Sequence, residues 1–216
     1  MAVIGENGSG KTTLVKLIVG EEEPDSGWVR RGPAVKLAYL PQHVKFAEPE
    51  RSALDTLIYD CRCSPQEARD SLGAFGFSGE DALKAVGTLS GGEQSRLRLC
   101  MLMRGDLNLL ILDEPTNHLD LASREWMEDA LSDYSEALLF VSHDRYFIEK
   151  FATRIWSIEN GEVTDFRGTF AEFREYRARQ EAIAQAAKAA APKPEKKPQR
   201  KKRHARAREG GPPLRA

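Results

Sequence analysis

The chain has 216 residues, of which 41% are hydrophobic, a length and composition that suit one domain or at most two. Its formal net charge of −1 combines +8 in residues 192–216, from ten Lys/Arg against two Glu, with −9 in the rest of the chain. The three cysteines, Cys61, Cys63 and Cys100, form neither a disulfide framework nor a paired zinc motif, and no apolar run approaches the roughly 20 residues of a membrane span, so a cytoplasmic location is expected.

The first predicted element is a short strand, Ala2–Ile4, which leads directly into a glycine loop. A helical pattern of apolar residues follows over 14–18, with Gly20 as the predicted end of that helix. Trp28-Val29 and Val35–Leu40 then predict two further strands on either side of a Gly-Pro turn.

Residues 48–88 are mostly helical in composition, with Leu54, Leu57 and Ile58 at helix spacing. Ser90 and Glu93 have the spacing of a capping box, which predicts that a strong helix begins there.

Two apolar runs, Leu109–Leu112 and Ala137–Val141, predict strands that are buried on both faces of a parallel sheet. A predicted helix over 121–131 separates them, and Asn160-Gly161 predicts a small hairpin between 155–158 and Val163. Strands that alternate with helices indicate an α/β fold with a mainly parallel sheet.

Beyond Gly168, Phe170, Phe173 and Tyr176 share one helical face, and an alanine-rich stretch extends this helix, predicted over 169–191. Residues 192–216 are rich in Pro, Lys and Arg, which predicts a disordered basic tail. Two interpretations of this tail have equal weight: it neutralises RNA phosphates, or it is a solvated terminus.

Residues Gly5–Thr12 fit the pattern G-x-x-x-x-G-K-[ST] between the first strand and the first helix. The backbone N–H groups of such a loop bind phosphate oxygens, and the dipole of the following helix adds positive potential. Lys11 supplies a charge for the β- and γ-phosphates, and the Thr12 hydroxyl can ligate Mg²⁺. A chance glycine turn is the alternative, which the strand–loop–helix context disfavours. The predicted nucleotide-binding residues here are Gly5, Asn7, Gly8, Ser9, Gly10, Lys11, Thr12 and Thr13.

The strand predicted over 109–112 ends in two carboxylates, Asp113 and Glu114. Ligands of α/β proteins bind at the carboxyl edge of the sheet, where this strand would deliver both groups. Asp113 is the predicted Mg²⁺ ligand, through water, and Glu114 the predicted general base for the attacking water. Either acid alone could serve only solubility, but together with the glycine loop they indicate a catalytic site.

Three further segments carry chemistry. Ser90, Gly91 and Gly92 combine a hydroxyl, bare backbone and a helix N-terminus, which makes a second anion-binding device. Gln42 follows a strand and can reach a metal or a water, and His143 can hydrogen-bond a γ-phosphate or the attacking water. A lone Gln or His is uninformative, and the order of both residues among the other motifs is what favours a functional role.

The segments GENGSGKTT, LPQ, LSGGEQ, LLILDEP, NHLD and SHD, in this order over residues 2–165, resemble the nucleotide-binding domain of the ABC superfamily. The resemblance implies a P-loop NTPase fold over 1–168, with helices on both faces of the sheet, a small helical subdomain at about 48–88, and ATP with Mg²⁺ as cofactors. It also implies that two domains pair head to tail around two ATP molecules. Ser90, Gly91 and Gly92 would then contact an ATP held by the opposite domain, with Asp120 in the loop across the interface.

Within the superfamily, Asn117-His118 and the SHDRYF segment over 142–147 look like the ABC-F and ABC-E branches. The cysteine cluster expected of ABC-E is absent, and residues 163–170 are similar to the end of an ABC-F second domain. The resemblance to ABC-F implies an ATPase that enters the ribosomal E site and repositions tRNA, and some members dislodge antibiotics from the ribosome.

The chain departs from the ABC-F pattern in holding one set of motifs, without the strands and the adenine-stacking aromatic that normally precede the glycine loop. Met1 stands where the middle of a strand is expected, so we expect a fragment or truncated product that needs a second ABC domain as partner. Two alternatives stay open: the ATPase subunit of an ABC transporter, and a non-catalytic nucleotide- or RNA-binding fragment.

Overall fold

The computed structural model describes the backbone of residues 1–117 and 119–190, and side chains as far as residue 186. The predicted tail over 192–216 and His118 lie outside the described residues. In the described part, no helix combines the length and the apolar composition that crossing a bilayer requires.

A single six-stranded sheet forms the centre of the fold, in the order β2-β3-β4-β1-β5-β6. The first five strands in this order run parallel, and β6 pairs antiparallel with β5. The strands are β1 Ala2–Gly5, β2 Leu37–Leu40, β3 Leu109–Asp113, β4 Ala137–Val141, β5 Arg154–Glu159 and β6 Glu162–Arg167.

Seven α-helices accompany the sheet in the described residues. They are α1 Lys11–Val19, α2 Ala53–Cys61, α3 Pro65–Ala74, α4 Gly91–Met103, α5 Leu121–Ser132, α6 Arg145–Phe151 and α7 Phe170–Ala190. Two short 3₁₀ helices, Gly79–Leu83 and Val86–Thr88, stand between α3 and α4.

Strand β3 shows why the sheet carries helices on both faces. Leu110 and Leu112 point into one hydrophobic cluster, together with Met127 of α5 and Phe147 of α6. Ile111 points into the opposite cluster, which includes Val15 of α1. Because all residues of this apolar run from Leu110 to Leu112 are fully buried, the strand needs cover on both sides. The predicted α/β fold with a mainly parallel sheet is therefore confirmed.

Between β2 and α4 the chain contains helical elements, and these have a hydrophobic cluster of their own. Leu57 of α2, Leu72 of α3 and Leu97 of α4 are fully buried in it. Cys61 and Cys63 are half-buried against this cluster, Cys100 is buried within it, and all three thiols are free.

Capping residues fix where helices α4, α5 and α6 begin. Ser90 caps α4 through a capping box with Glu93, as the spacing predicts. Asp120 caps α5 and Asp144 caps α6, each through a side-chain oxygen that accepts a backbone N–H of the first turn. Gly20 ends α1 in the left-handed conformation, as expected.

The strand predicted at Trp28-Val29 is wrong, and the next strand begins at Leu37 rather than Val35. Residues 21–36 have no regular secondary structure, and the Trp28 side chain is 78% exposed. A strand needs a neighbour with which to exchange backbone hydrogen bonds. In the described residues β2 pairs with β3, and no strand lies beside Trp28.

The chain divides into a compact unit, Met1–Arg177, and a second unit that begins at Ala178. Helix α7 starts in the first unit, where Phe170 and Phe173 are buried in the same hydrophobic cluster as Leu110 and Leu112 of β3. Tyr176 is 38% exposed, so the apolar face predicted for this helix is buried over its first turn only.

Candidate nucleotide-binding site

The loop between β1 and α1 turns through two glycines with positive φ, and Ser9 N donates to the Glu6 carbonyl at 3.1 Å within it. Gly8 and Gly10 have φ values of 79° and 96°, in the left-handed region that favours glycine. A Cβ at Gly5 would lie 2.6 Å from the Ile158 carbonyl oxygen and 2.7 Å from Ser9 Oγ. Gly5 is therefore required by space, whereas Gly8 and Gly10 are required by backbone conformation.

Lys11 begins α1 and is 7% exposed. Its Nζ donates to the carbonyl oxygens of Gly5 at 3.0 Å and Glu6 at 2.9 Å. The ammonium group is thus held by its own loop, at the N-terminus of the helix, where an anion would also be bound. Ser9 Oγ is buried and has no hydrogen-bond partner among the described residues.

The loop opens onto a cavity of about 750 Å³ that also receives side chains from distant parts of the sequence. The residues that line it are Glu6, Asn7, Gly8, Lys11, Thr12, Gln42, Glu114, Asn117 and His143. Of the predicted site residues, the cavity brings together Asn7, Gly8, Lys11, Thr12, Gln42, Glu114 and His143, whereas Gly5, Ser9, Gly10 and Asp113 are not among the residues that line it. Asn117 and Glu6 line the cavity without having been predicted; their positions inside the two motifs were the available signal.

Asp113 ends β3 and is 1% exposed. Its Oδ2 accepts from the Tyr39 hydroxyl at 3.5 Å, and Oδ1 is buried without a hydrogen-bond partner in the part of the chain that the structure describes. Burial raises the pKa of Asp113, while the hydrogen bonds from Thr12 and Tyr39 and the charge of Lys11 oppose this. Burial and the neighbouring Asp113 raise the pKa of Tyr39.

The donor set suits a magnesium ion. The Asp113 carboxylate, the Thr12 hydroxyl and the Gln42 amide would supply hard oxygen ligands, and Oδ1 of Asp113 is buried with no hydrogen-bond partner among the residues described. No group of three or more His, Cys, Asp or Glu side chains that could cage a metal occurs in the described part of the chain. Mg²⁺ is typically bound through one or two carboxylates and completes its shell with phosphate and water, so a set with the single carboxylate of Asp113 fits it.

Glu114 is held in an unusual backbone conformation directly after Asp113. Its φ is +50°, which a residue with a side chain rarely adopts, and its backbone N–H donates to the Val141 carbonyl at 2.9 Å. Glu114 Oε1 lies 3.3 Å from His143 Nε2. Burial raises the pKa of the Glu114 carboxyl, and the neighbouring His143 opposes this rise. The result is a shielded carboxylate that faces the cavity and contacts one imidazole.

The second predicted anion-binding segment lies apart from this cavity. Ser90 Oγ accepts from Glu93 N at 3.3 Å, and Glu93 Oε2 accepts from Ser90 N at 2.7 Å. Gly91 is exposed, and Gly92 is packed so that a Cβ would lie 3.2 Å from Leu119. None of Ser90, Gly91 and Gly92 is among the residues that line the cavity.

Two more predicted contacts lie outside the cavity lining. Asp120 is exposed at the start of α5, and its Oδ1 accepts from Ser123 N at 2.7 Å. Thr13 is exposed on α1, next to Thr12. The structure thus separates the predicted nucleotide contacts into the residues of one cavity and a set at the starts of α4 and α5.

Comparison with known proteins identifies the family. The family model described as ABC transporter matches residues 1–117. The putative ATP-binding protein YdiF of Bacillus subtilis (strain 168) is 44% identical over 180 residues, which cover 83% of this chain and 28% of that protein. The energy-dependent translational throttle protein EttA of Escherichia coli (strain K12) is 38% identical over 185 residues, which cover 83% of this chain and 33% of EttA. The chain therefore spans about a third or less of the length of these relatives.

Solved structures agree at the level of the fold. A metal-chelate type ABC transporter in an inward-facing conformation matches with a TM-score of 0.64 at 22% identity, covering 77% of this chain and 71% of that one. The ATP-binding cassette MJ0796, in a dimeric post-hydrolysis structure bound to ADP and Pi, matches with a TM-score of 0.62 at 21% identity, covering 77% of this chain and 84% of that one. The chain belongs to the ABC ATPase family, as a nucleotide-binding domain whose relatives are ABC-F type ATP-binding proteins.

Proposed function

We propose that this chain binds ATP with Mg²⁺ in the cavity beside the glycine loop and hydrolyses it to ADP and phosphate. The observation that carries the proposal is the convergence of Lys11, Thr12, Gln42, Glu114 and His143 on one cavity. Loop amides and an ammonium group bind a polyphosphate, and a carboxylate beside an imidazole activates water. This is the arrangement that phosphoryl transfer to water requires.

Each residue has a definite task in this reaction. Lys11 exchanges its two loop carbonyls for phosphate oxygens and stabilises charge on the transferring phosphoryl group. Glu114 accepts a proton from the water that attacks the γ-phosphorus, and the bond to the leaving ADP oxygen breaks. His143 hydrogen-bonds the γ-phosphate or this water. Asp113, Thr12 and Gln42 would hold Mg²⁺, which when bound neutralises charge on the phosphates.

The burial of Glu114 supports its role as the base. A carboxyl group with a raised pKa accepts a proton more readily than an exposed one, and the contact with His143 orients it. Its left-handed backbone conformation turns the side chain from the end of β3 into the cavity. Strained positions of this kind are frequent at catalytic sites.

We further propose that turnover requires a second nucleotide-binding domain. Ser90, Gly91 and Gly92 combine helix N-terminal amides with a hydroxyl but lie outside the cavity of their own chain. They would contact the ATP held by the opposite domain, with exposed Asp120 in the same interface. The dimeric structure of the ATP-binding cassette MJ0796 supports this pairing.

The cellular role that we propose is that of the second nucleotide-binding domain of an ABC-F protein in the cytoplasm, acting on the ribosome, rRNA or tRNA in translation or in antibiotic protection. The support is the relative EttA, named as an energy-dependent translational throttle protein. The second candidate is the ATPase subunit of an ABC transporter, which the name of the matching family model favours.

Calorimetric titration with ATP, with and without Mg²⁺, tests the biochemical proposal. Lys11→Met removes a charged hydrogen-bond donor, worth about 1.5–3 kcal/mol, so the dissociation constant should rise roughly 10- to 150-fold. Lys16→Met is the matched control, because Lys16 lies on the same helix and pairs with Glu22 at 3.0 Å on the surface. Equal affinities of the two variants, or magnesium-independent binding, would contradict the proposal.

Two further measurements address the partner and the cellular role. Turnover per chain should rise with protein concentration if two copies complete each other's sites, and a rate per chain that is independent of concentration argues against pairing. Co-sedimentation of the tagged chain with ribosomes rather than with membrane vesicles favours the ABC-F role, and the reverse result favours the transporter subunit.

A further inference from the structure

The loop from Ser142 to Asp144 carries His143 to the cavity, and Asp144 fixes its backbone. Asp144 Oδ1 accepts from Tyr146 N at 2.9 Å and from Phe147 N at 3.4 Å, and Asp144 N donates to Ser142 Oγ at 3.0 Å. The position of Asp144 therefore determines where the preceding imidazole lies relative to Glu114.

Arg124 of α5 forms an ion pair with Asp144. Arg124 Nη1 lies 2.9 Å from Asp144 Oδ2, and the Asp144 side chain is only 16% exposed. Arg124 Nε and Asp144 Oδ2 are both buried without a hydrogen-bond partner among the described residues. The two charges are thus close but not aligned as a hydrogen bond, so a small rotation of the guanidinium would strengthen the contact.

The other end of this contact lies at the surface assigned above to the second domain. Arg124 N donates to the Asp120 carbonyl at 3.0 Å, and the Asp120 side chain caps the same helical turn. The Asp120 backbone is thereby bonded to the base of the Arg124 side chain. From there the contacts run to Asp144, His143 and finally Glu114.

We propose that Arg124 is a positioning residue, which aligns His143 with Glu114 through Asp144 when a second domain contacts the start of α5. The inference rests on the proposed ATP hydrolysis. It explains why a guanidinium with a buried Nε pairs with Asp144 in the loop of His143 without lining the cavity itself. The proposal predicts that Arg124 and Asp144 are energetically coupled, which proximity alone does not require.

A double-mutant cycle on the full chain measures the coupling. Arg124→Gln and Asp144→Asn each remove one charge, and asparagine still caps α6. We expect each variant to lower kcat about five- to tenfold, with the ATP dissociation constant within about twofold of the parent, and the double variant to be no slower than either. Arg124→Lys should recover part of the rate.

Lys150→Gln is the matched control. Lys150 Nζ lies 2.9 Å from Glu128 Oε2, so this ion pair also joins α5 to α6, but it does not touch the loop of His143. We expect Lys150→Gln to lower the unfolding midpoint and leave kcat unchanged. Equal kcat losses in Lys150→Gln and Arg124→Gln would reduce Arg124 to a structural role and overturn the proposal.

A measurement that does not depend on ATP hydrolysis separates this inference from the proposed function. The imidazole NMR signal of His143, identified by its absence from His143→Gln, should move in Arg124→Gln and stay in place in Lys150→Gln. A parent chain that never hydrolyses ATP would defeat the proposed function, and the signal would then decide the Arg124 link by itself. An unmoved signal, or multiplicative kcat losses in the cycle, overturns the link.

Discussion

Replacing Glu114 by Gln changes one oxygen to an amide nitrogen and leaves the surroundings of the side chain largely intact. The backbone bond to Val141 is unaffected, and the amide oxygen can still accept from His143. What is lost is the ability to take a proton from water. General bases contribute about 10²- to 10⁴-fold, so turnover should fall by that factor, or by about 2.7–5.5 kcal/mol in the barrier.

The assay is phosphate release at saturating ATP, with ATP affinity measured by calorimetry on the same samples. Affinity should stay within about threefold of the parent, because Glu114→Gln leaves Lys11, Thr12 and Asp113 in place. A variant that hydrolyses ATP at more than a third of the parent rate would remove Glu114 from the role of base. A variant that neither binds nor hydrolyses ATP would show that the substitution disturbs the loop.

The same substitution has a pH-dependent effect on stability. Burial raises the pKa of Glu114 above its ordinary value of 4.5, so the folded state holds this proton to higher pH than the unfolded state. Stability contributed by the protonated form is therefore lost as pH rises from 4.5 through the folded pKa. Glu114→Gln should unfold at a higher temperature than the parent at pH 7, with a difference that shrinks as pH falls toward 4.5; a less stable variant at pH 7 contradicts the sign.

Three further substitutions test a helix start, with a matched control, and the core. Ser90→Ala removes the cap of α4 and Ser64→Ala the equivalent cap of α3, each through an Oγ that accepts a backbone N–H at 3.3 Å. Both variants should lose about 1 kcal/mol of stability in urea unfolding, but only Ser90→Ala should also lower the rate of ATP hydrolysis. Equal losses of this rate in Ser90→Ala and Ser64→Ala would count against a nucleotide contact at Ser90. Phe140→Ala deletes a fully buried ring whose centroid lies 5.0 Å from that of Phe147. The free energy of unfolding should therefore fall by about 3–5 kcal/mol, and a fall below about 1 kcal/mol would contradict the packing described.

The elements that sequence patterns predicted well are those whose cause is local. Within the two apolar runs, residues 110–112 and 139–141 are buried on both faces of the sheet and could not be stable at the surface. The glycine loop needs left-handed residues at Gly8 and Gly10, and this demand is visible in the residue types themselves. Strand, loop and helix follow from these requirements without knowledge of the rest of the fold.

The features that could not be predicted depend on neighbours distant in sequence. Trp28-Val29 has the composition of a strand, but a strand forms only where another chain segment offers its backbone. The pairing of Arg124 with Asp144 joins the starts of two helices, and no spacing rule connects them. The left-handed conformation of Glu114 is likewise a consequence of how β3 meets its surroundings.

The two carbonyl contacts of Lys11 have a consequence for the speed of nucleotide capture. Since the loop already encloses its own cation, phosphate oxygens replace the carbonyls of Gly5 and Glu6 without refolding the backbone between them. The conformational entropy of ordering this loop is lost when the chain folds, not when it meets its substrate. The association rate constant is then limited by diffusion and by orientation. Differences in affinity among nucleotides therefore come mainly from their dissociation rate constants.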